Sequence, residues 1–474
     1  MNKSTIAICL ALSTTCTSLL TGCTDPVPPK TPGASTPAAP AGAPDVSSPL
    51  KLGTLLSATG DVASIAAPLP EAVKLAVAKV NTCGGVNGKP VAEVVSEDDQ
   101  SKPESATAAM TKLTTVDKVA GVVGSFASSV SSAASSIATK NKVMLISPGS
   151  TSPKFTESAK EGKFQGYWAR TAPSDVHQAP ALAKVAFDKG LKKVAVLSIK
   201  NDYGTAFEKE FIAAFKKLGG TITNESNLVH YDPKGSTFDT EVKTALAGNP
   251  QGLAAIVYPD ESGPSVLKAA YESGLLKNVQ ILMPDAGYSE AFPKLVAKTK
   301  EGKSMLAGAL GTVPGAKGNA YKEFEAAWKT TKKPFTPYLA QSWDAAMLMM
   351  LAAQSAKSNT GEAIQSKIRE VSGGTGGGEV VTDVCKGLEL LKAGKKINYE
   401  GASGSVDVDE YGDVLGSYDV WQIQPDNTYK TINNVTVGVA KEGAKPAETK
   451  PETKSPDPKT SEKPKEAEKT PAKN

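Results

Sequence analysis

The sequence predicts an α/β protein with two doubly wound lobes, each built on a parallel sheet. Its 474 residues, of which 40% are hydrophobic, can bury one or two substantial cores and are too many for one small domain. Short apolar strands alternate with amphipathic helices from about residue 50 to residue 440, which indicates a parallel α/β architecture. Polar, glycine-containing turns follow several strands, and ligands of such sheets gather at those strand ends.

The first part of this alternation predicts one lobe and the second part another. The first strand is LKLGTLLSATG, and the helix after it places Ala72, Leu75, Ala76 and Val80 at helical spacing. The next strand is KPVAEVVSEDD, the next helix is ESATAAMTKLTT, and a buried strand in VAGVVGSFAS ends at Gly124. The stretch VMLISPGST repeats the plan. The second lobe is predicted from KKVAVLSIKNDYG, FEKEFIAAFKKLGG, LAAIVYPD, SVLKAAYESG and VQILMPDAGY.

The beginning of the chain predicts export and lipid anchoring. Residues 1–22 have the features of a signal peptide, with Lys3 in a short positive head and an apolar run from Ile6 to Leu20. The tetrad LTGC, which ends at Cys23, resembles a bacterial lipobox. Cys23 is therefore expected to carry lipid and to anchor the exported protein to a bacterial membrane, in the periplasm or on the outer cell surface. The alternatives are a plain secretory signal or a membrane-spanning anchor, for which the apolar run is short.

Two further terminal stretches lack apolar periodicity. The Pro- and Ala-rich residues 23–49 are expected to form a solvated tether. The Lys-, Glu- and Pro-rich residues 441–474 are expected to be disordered, because their few apolar side chains cannot offset the entropy lost on ordering. A role of this tail in binding the cell wall or a partner is the alternative to a solvated extension.

Composition argues against nucleic-acid and zinc chemistry. The net charge of +4 comes from 53 basic and 49 acidic residues scattered through the chain, so no concentrated basic face indicates a nucleic-acid partner. The two histidines, His177 and His230, have no Cys, Asp or Glu at a metal-ligand spacing. We therefore expect no metal site and no cofactor.

Three loops after predicted strands contain small hydroxyls, glycines and one carboxylate. They are GSFASS at 124–129, PGSTS at 148–152 and PDAGY at 284–288. Ser128, Ser150 and Thr151 offer hydroxyls, and a helix that begins just afterwards presents free N–H groups to an anion such as a carboxylate. Asp285 supplies the opposite charge that an ammonium needs. The alternative is that the hydroxyls are helix caps and that Asp285 caps its own loop.

Eight stretches together carry a family resemblance. From about Lys51 to Trp421 the chain resembles the periplasmic binding proteins of branched-chain amino acid transporters, the leucine-isoleucine-valine-binding group of type I solute-binding proteins. None of the stretches is specific alone, but they occur in the family's order. They are GTLLSATGD, NTCGGVNGKPV, GVVGSFASS, MLISPGSTSP, NDYGTAF, LMPDAGY, AQSWDAAMLM and NYEGASGSVDVDEYGDV.

The resemblance implies a site for the headgroup of an amino acid. In it, Ser128 and the backbone N–H of Thr151 hold the ligand carboxylate. The Gly149 carbonyl and the Thr151 hydroxyl help to bind the ammonium, and Asp285 completes the ammonium site. Ser150 lies in the same hydroxyl-rich turn and is counted with the ligand-binding residues.

The resemblance leaves the side-chain pocket less defined. Tyr203 matches a family tyrosine near the cleft mouth, and Phe126 is expected to line the pocket, which suits an apolar, branched-chain or other neutral ligand. The chain departs from the family near Ile65, where a tyrosine is common, and in the YPDESG loop, where the family's aromatic contact is not evident. If Asp260 and Glu261 of that loop face inward, a polar or basic ligand becomes reasonable.

The resemblance also implies three crossings between the lobes, near 170–173, 309–312 and 416–420, which form a three-strand hinge. The first lobe is then expected to comprise residues 50–171 and 309–418, and the second lobe residues 172–308 and 419–440. Under this layout Cys83 and Cys385 both lie in the first lobe, and we predict a disulfide between them. Two unpaired thiols are the alternative.

The function that the resemblance implies is capture of a free amino acid between the lobes and its delivery to an ABC transporter permease, by a protein that acts as a monomer. The alternatives are a tethered ligand sensor of the same fold and a binder of amides or urea. An exported hydrolase is a third, but the chain has no G-x-S-x-G nucleophile elbow, and GASGS at 401–405 lacks the last glycine in register. We therefore expect the protein not to be an enzyme.

Overall fold

The computed structural model describes residues 46–437, which fold around two large sheets. The first sheet has five parallel strands: β1 (Leu52–Leu56), β2 (Val95–Asp98), β3 (Gly121–Gly124), β4 (Met144–Ser147) and β5 (Trp168–Arg170). Their order is β2-β1-β3-β4-β5. Strands β1, β3, β4 and β5 are buried throughout, as expected for a parallel sheet covered by helices on both faces.

Within residues 46–437, nine α-helices belong to the first lobe: α1 (Ala63–Ala66), α2 (Leu69–Thr82), α3 (Pro103–Thr115), α4 (Ser128–Lys140), α5 (Lys154–Lys160), α11 (Tyr321–Lys329), α12 (Leu339–Ala356), α13 (Gly361–Val371) and α14 (Val384–Lys392). Helix α12 is apolar almost all round and buried from Leu339 to Gln354. It packs against α2, α13 and α14 and against strands β3 and β4. Such a pattern is typical of a helix enclosed within a core.

The second sheet has eight strands: β6 (Lys193–Ile199), β7 (Thr221–Ile222), β8 (Val229–Tyr231), β9 (Gly252–Ile256), β10 (Gln280–Met283), β11 (Leu310–Pro314), β14 (Gly416–Ile423) and β15 (Tyr429–Val437). Their order is β15-β14-β11-β10-β9-β6-β7, and β8 pairs with β6. Strands β14 and β15 are antiparallel to their neighbours, and the other pairs are parallel. A small parallel ribbon of β12 (Glu379–Val381) and β13 (Ile397–Tyr399) lies beside α14.

Five helices accompany the second sheet: α6 (Asp175–Asp188), α7 (Asp202–Lys217), α8 (Asp239–Leu246), α9 (Ser262–Glu272) and α10 (Phe292–Val296). Helix α7 starts where the side chain of Asn201 accepts the N–H groups of Tyr203 and Gly204, which is a strong N-cap. The alternation of strand and helix in both lobes confirms the predicted fold class.

The strand bounds correct two of the expected lobe boundaries. Strand β11 pairs in parallel with β10 and antiparallel with β14, so residues 310–314 belong to the second sheet, although we expected the first lobe to resume at residue 309. The second crossing therefore comes after Pro314. Strand β14 begins at Gly416, so the expected boundary at residue 418 falls inside a strand of the second sheet. Both errors have one cause, since strands that run through a hinge have the same apolar pattern on either side of it.

A disulfide joins Cys83 and Cys385, which confirms the predicted pairing. Their Cα atoms are 5.2 Å apart, and 302 positions separate them in sequence. Cys83 ends α2, and Cys385 lies in the first turn of α14, where its N–H donates to the carboxylate of Asp383. The bridge therefore joins two helices from the two separate chain segments of the first lobe.

Some of the sequence predictions lie outside the described residues. These are the signal peptide, the lipid-bearing Cys23, nearly all of the tether and the tail from residue 441. Between residues 46 and 437, no helix is both long enough and apolar enough to span a membrane.

The disulfide generates a stability prediction. Closing so long a loop restricts the unfolded chain, so the double variant Cys83→Ser/Cys385→Ser should lose about 2–5 kcal/mol of unfolding free energy. Denaturant titration of the variant and the oxidised protein measures the loss. Peptide mapping without reductant should recover the two cysteines in one linked species. An unchanged denaturation midpoint, or two free thiols, would contradict the structural role of the bridge.

Candidate ligand-binding cleft

The carboxyl ends of β3, β4 and β10 bring the three predicted loops to one cleft between the lobes. Ser128 and Thr151 come from the first lobe and Asp285 from the second, and each is at most 2% exposed. Parallel strands place their carboxyl ends on one edge of a sheet, so loops distant in sequence converge there. The cleft is thus lined by buried polar groups from both lobes.

The first-lobe side of the cleft presents free backbone donors. Helix α4 begins at Ser128, and its N-cap residue, Ala127, has no side chain that could accept a hydrogen bond. The N–H groups of Ser128 and Thr151 have no acceptor within residues 46–437. The Ser128 hydroxyl accepts a long bond, 3.4 Å, from the N–H of Ser152. Unsatisfied N–H groups at a helix N-terminus favour an anion.

Ser150 and Gly149 fix the conformation of the loop at 148–152. The Ser150 hydroxyl lies 2.8 Å from the Ser131 hydroxyl and 3.0 Å from the Phe126 carbonyl oxygen, so it is used in holding the loop to α4. A Cβ atom on Gly149 would come within 2.3 Å of the Phe126 ring, so this position needs glycine. The arrangement gives Ser150 a positioning role, whereas we predicted a contact with the ligand.

The second-lobe side of the cleft is dominated by the carboxylate of Asp285. The Tyr203 hydroxyl donates to one carboxylate oxygen at 2.8 Å, and the Tyr338 hydroxyl donates to the other at 2.5 Å. Tyr338 precedes α12 of the first lobe with a left-handed φ of 70°, so its bond to Asp285 crosses between the lobes. The Phe126 ring packs edge-on against the Tyr338 ring, with centroids 5.0 Å apart.

A second buried carboxylate, Asp175, completes the site and was missed by the sequence analysis. It is the first residue of α6, after the N-cap Ser174, and is fully buried. The Thr151 hydroxyl donates to one of its oxygens at 2.9 Å, while the other oxygen has no partner in the described chain. The PSD sequence before a helix was the available signal, but it has the appearance of an ordinary helix cap.

Burial disfavours the charged forms of both carboxylates, and the charge of Asp285 further disfavours that of Asp175. Burial, and next the negative charge of Asp285, raise the pKa of Asp175 well above its ordinary value. Burial also raises the pKa of Asp285, although the hydroxyls of Tyr338 and Tyr203 act against the rise. The charge of Arg170 acts on Asp175, but its guanidinium is occupied by Asp413, with Nε 2.7 Å from a carboxylate oxygen. Two buried carboxylates without a dedicated cation favour a positively charged ligand group.

One rim of the cleft is closed by contacts to Asp202, at the start of α7 in the second lobe. Its carboxylate accepts from the Lys154 ammonium at 2.7 Å and from the Ser132 hydroxyl at 3.0 Å. Its carbonyl accepts from the Ser152 hydroxyl at 2.9 Å. The three partners lie in the first lobe, so these bonds exist only when the lobes are together.

The other rim is closed around Ser64 of the first lobe. Its N–H donates to the Asp260 carboxylate at 2.8 Å, and its hydroxyl accepts from Ser289 at 2.7 Å. The N–H of Asp260 donates to the carbonyl of Asp61 at 3.2 Å. Asp260 therefore faces the cleft, whereas Glu261 beside it is exposed. With both rims bridged, the structure is the closed conformation.

Comparison with known proteins places the chain in a family. Residues 69–426 match the model of the "Receptor family ligand binding region". The chemotactic signal transduction system substrate-binding protein BasB of Halobacterium salinarum is 28% identical over 373 residues, which is 76% of this chain and 83% of the relative. The Leu/Ile/Val-binding protein homolog 1 of Brucella abortus is 32% identical over 171 residues, or 35% of this chain and 44% of that protein. The mouse metabotropic glutamate receptor 4 is 23% identical, and the alignment covers 68% of this chain but 39% of the receptor.

Solved structures show the same fold. A leucine binding protein from Thermotoga maritima superposes with a TM-score of 0.67 at 23% identity, covering 82% of this chain and 99% of its own. The branched-chain amino acid transporter substrate binding protein of Streptococcus pneumoniae, solved with isoleucine, gives 0.65 at 21% identity, with coverages of 82% and 99%. A solute binding protein from R. palustris, solved with 4-hydroxybenzoate, gives 0.64 at 18% identity, with coverages of 82% and 98%. The chain therefore belongs to the receptor family of ligand-binding regions and has the type I periplasmic binding fold, as its resemblance to the leucine-isoleucine-valine-binding group predicts.

Proposed function

We propose that the protein captures an α-amino acid between its lobes. The observation that carries this proposal is that the two sides of the cleft favour opposite charges. Free N–H groups on one side favour an anion, and two buried carboxylates on the other side favour a cation. A zwitterion satisfies both, because its carboxylate and its ammonium are separated by one carbon atom. Amides and urea lack the ammonium and would leave the carboxylates uncompensated.

The residues have distinct roles toward the ligand. The N–H groups of Ser128 and Thr151 bind the carboxylate, and the Ser128 hydroxyl adds a third donor. The ammonium donates to Asp285 and to the unpartnered oxygen of Asp175. The Thr151 hydroxyl holds Asp175 in place, and the tyrosine Tyr203 does the same for Asp285. Headgroup recognition in this form is independent of the ligand side chain.

Closure of the lobes around the ligand gives a conformation that another protein can recognise. Asp285 belongs to the second lobe and Tyr338 to the first, so the ligand and this tyrosine meet the same carboxylate only in the closed state. A ligand that contacts both lobes binds the closed conformation more tightly and shifts the population toward it. We propose that an ABC transporter permease recognises this closed form and receives the amino acid.

The proposed cellular setting rests on the sequence of residues 1–49. We propose that the signal peptide is cleaved before Cys23, that lipid on this cysteine anchors the protein outside the cytoplasm, and that the Pro-rich segment tethers the two lobes to the membrane. Sensing is a second candidate role, since BasB, as its name says, belongs to a chemotactic signal transduction system. Permease and ATPase genes beside this one would favour transport, and a receptor gene would favour sensing.

The headgroup assignment predicts the effect of Asp285→Asn. The substitution keeps the shape but removes the charge that the ammonium needs, so affinity for the amino acid should fall about 100-fold, the loss expected when a buried charge pair is broken. Calorimetric titration measures it. Asp188→Asn is the matched control, because Asp188 is exposed at the end of α6 and pairs with Lys184. Equal affinities of both variants and the parent protein would contradict the ammonium site.

The raised pKa of Asp175 predicts a pH effect on the ligand-free protein. Because the folded-state pKa of Asp175 is raised, the folded state holds this proton more tightly than the unfolded chain. The resulting stabilisation is complete below about pH 4, the ordinary Asp pKa, and is lost as the pH rises through the raised value. Asp175→Asn removes this titration. The gap between the melting temperatures of the variant and the parent protein should therefore shift in the variant's favour by about 2–4 °C from pH 4 to pH 7. A gap that stays constant or shrinks over this range would show that the pKa of Asp175 is not raised in the folded protein.

The rim contacts predict the effect of opening one of them. Asp202→Ala removes a carboxylate that bonds Lys154 and Ser132 but lies at the rim, so ligand release should be about three- to tenfold faster, as the loss of one exposed ion pair and one hydrogen bond implies. Stopped-flow displacement measures the rate. Lys154→Ala should reproduce part of the effect, and the double variant should not be slower or faster than Asp202→Ala alone. Fully additive effects of the two substitutions would show that the pair does not act as a unit.

A further inference from the structure

A cavity opens beside the headgroup site at the cleft mouth. It has a volume of about 680 Å³ and is lined from both lobes. Asp61 contributes from the first lobe, and Tyr258 and Glu261 contribute from the second. The Tyr258 ring stacks on the Tyr203 ring with centroids 5.6 Å apart, and the Tyr203 hydroxyl bonds Asp285. The cavity therefore adjoins the place where the ligand headgroup would sit.

Two residues that line this cavity bear buried polar atoms that have no hydrogen-bond partner in the described chain. They are the hydroxyl of Tyr258 and one carboxylate oxygen of Asp61. Tyr258 is 5% exposed. Burial and the charge of Asp61 raise the pKa of Tyr258, as expected for two groups that line one cavity. Buried polar groups are almost always hydrogen-bonded in native proteins, so this cluster is complementary to a polar ligand group.

The charge of the cluster is negative. Burial first, then the charges of Glu261 and Asp260, raise the pKa of Asp61 to about 6. Three lysines, Lys102, Lys200 and Lys234, also line the cavity, but all are exposed, and solvent screens their charges. Lys102 is the smallest of the influences on the Asp61 pKa. The residues that line the cavity therefore include no buried cation that would neutralise the Asp61 carboxylate.

We propose that Asp61 and Tyr258 form a subsite for a cationic side chain, so that the ligand is a basic amino acid carrying an amine or a guanidinium. This inference rests on the proposed amino-acid headgroup site. An amine would donate to the Asp61 oxygen and to the Tyr258 hydroxyl. The branched-chain ligand that the family resemblance implies would leave both polar atoms unpaired.

Two ligands that differ in one group test the subsite. L-lysine and L-norleucine share the headgroup and the carbon chain, and only lysine carries the terminal amine. Calorimetric titration of the full chain, stripped of bound ligand by unfolding and refolding, should give at least tenfold tighter binding of lysine, the gain expected from a buried charge-assisted hydrogen bond. Asp61→Asn should cancel most of this preference and leave norleucine binding within about twofold. Its fold is expected to persist, because Asp260 bonds the Asp61 carbonyl and not its side chain.

A matched control variant tests the cationic subsite, and the possible results distinguish its failure from failure of the headgroup site. Glu261→Gln removes an exposed carboxylate of the same cavity and should change lysine affinity much less than Asp61→Asn. Norleucine binding as tightly as lysine, or a lysine preference that survives Asp61→Asn, would overturn the subsite while the headgroup site stands. If neither compound nor any other α-amino acid binds, the proposed function fails and the subsite fails with it.

Discussion

The structure depends on a pair of carboxylates that the fold buries without a cation of their own. Asp175 and Asp285 reach the cleft from α6 and from the end of β10, and each is held by a hydroxyl, from Thr151 and from Tyr203 respectively. Burial disfavours the charged forms of both, and the charge of Asp285 adds to this effect at Asp175. In the proposed function a ligand supplies the missing positive charge, and stability is given up at the site for that purpose.

The first lobe supplies the groups that face the two carboxylates. The first lobe contributes unsatisfied N–H groups at the start of α4, and its rigid core, centred on the enclosed helix α12, fixes the position from which Tyr338 reaches across to Asp285. The buried guanidinium of Arg170 binds Asp413 and the carbonyls of Ser150 and Ser152, so the loop that bears Thr151 is held from behind. In the proposed function, a ligand between these surfaces meets the N–H groups and both carboxylates together only when the lobes are closed.

The sequence predicted what local chemistry can reveal, and it missed what depends on tertiary placement. Small hydroxyls and glycine after a buried strand marked the loops of Ser128 and Thr151, and a carboxylate after β10 marked Asp285. Asp175 has the same sequence context as any helix cap, and only the packing of α6 against the second sheet turns it into the cleft. Tyr338 lies outside any strand-end loop, and its role depends on a left-handed backbone turn that the sequence does not display. The second crossing between lobes was misplaced by one strand, because hydrogen-bond partners, not apolar pattern, decide to which sheet β11 belongs.

The central claim is that the cleft recognises an ammonium and a carboxylate on one carbon. The most direct measurement is a thermal-shift panel on ligand-stripped protein, in which each α-amino acid is compared with its α-hydroxy acid analogue and with amides and urea. A ligand that binds only the native state raises the melting temperature by mass action. If Asp175 and Asp285 bind an ammonium, the melting temperature rises with one or more amino acids and with none of their hydroxy acid analogues. A rise with an amide, with urea or equally with a hydroxy acid would contradict it.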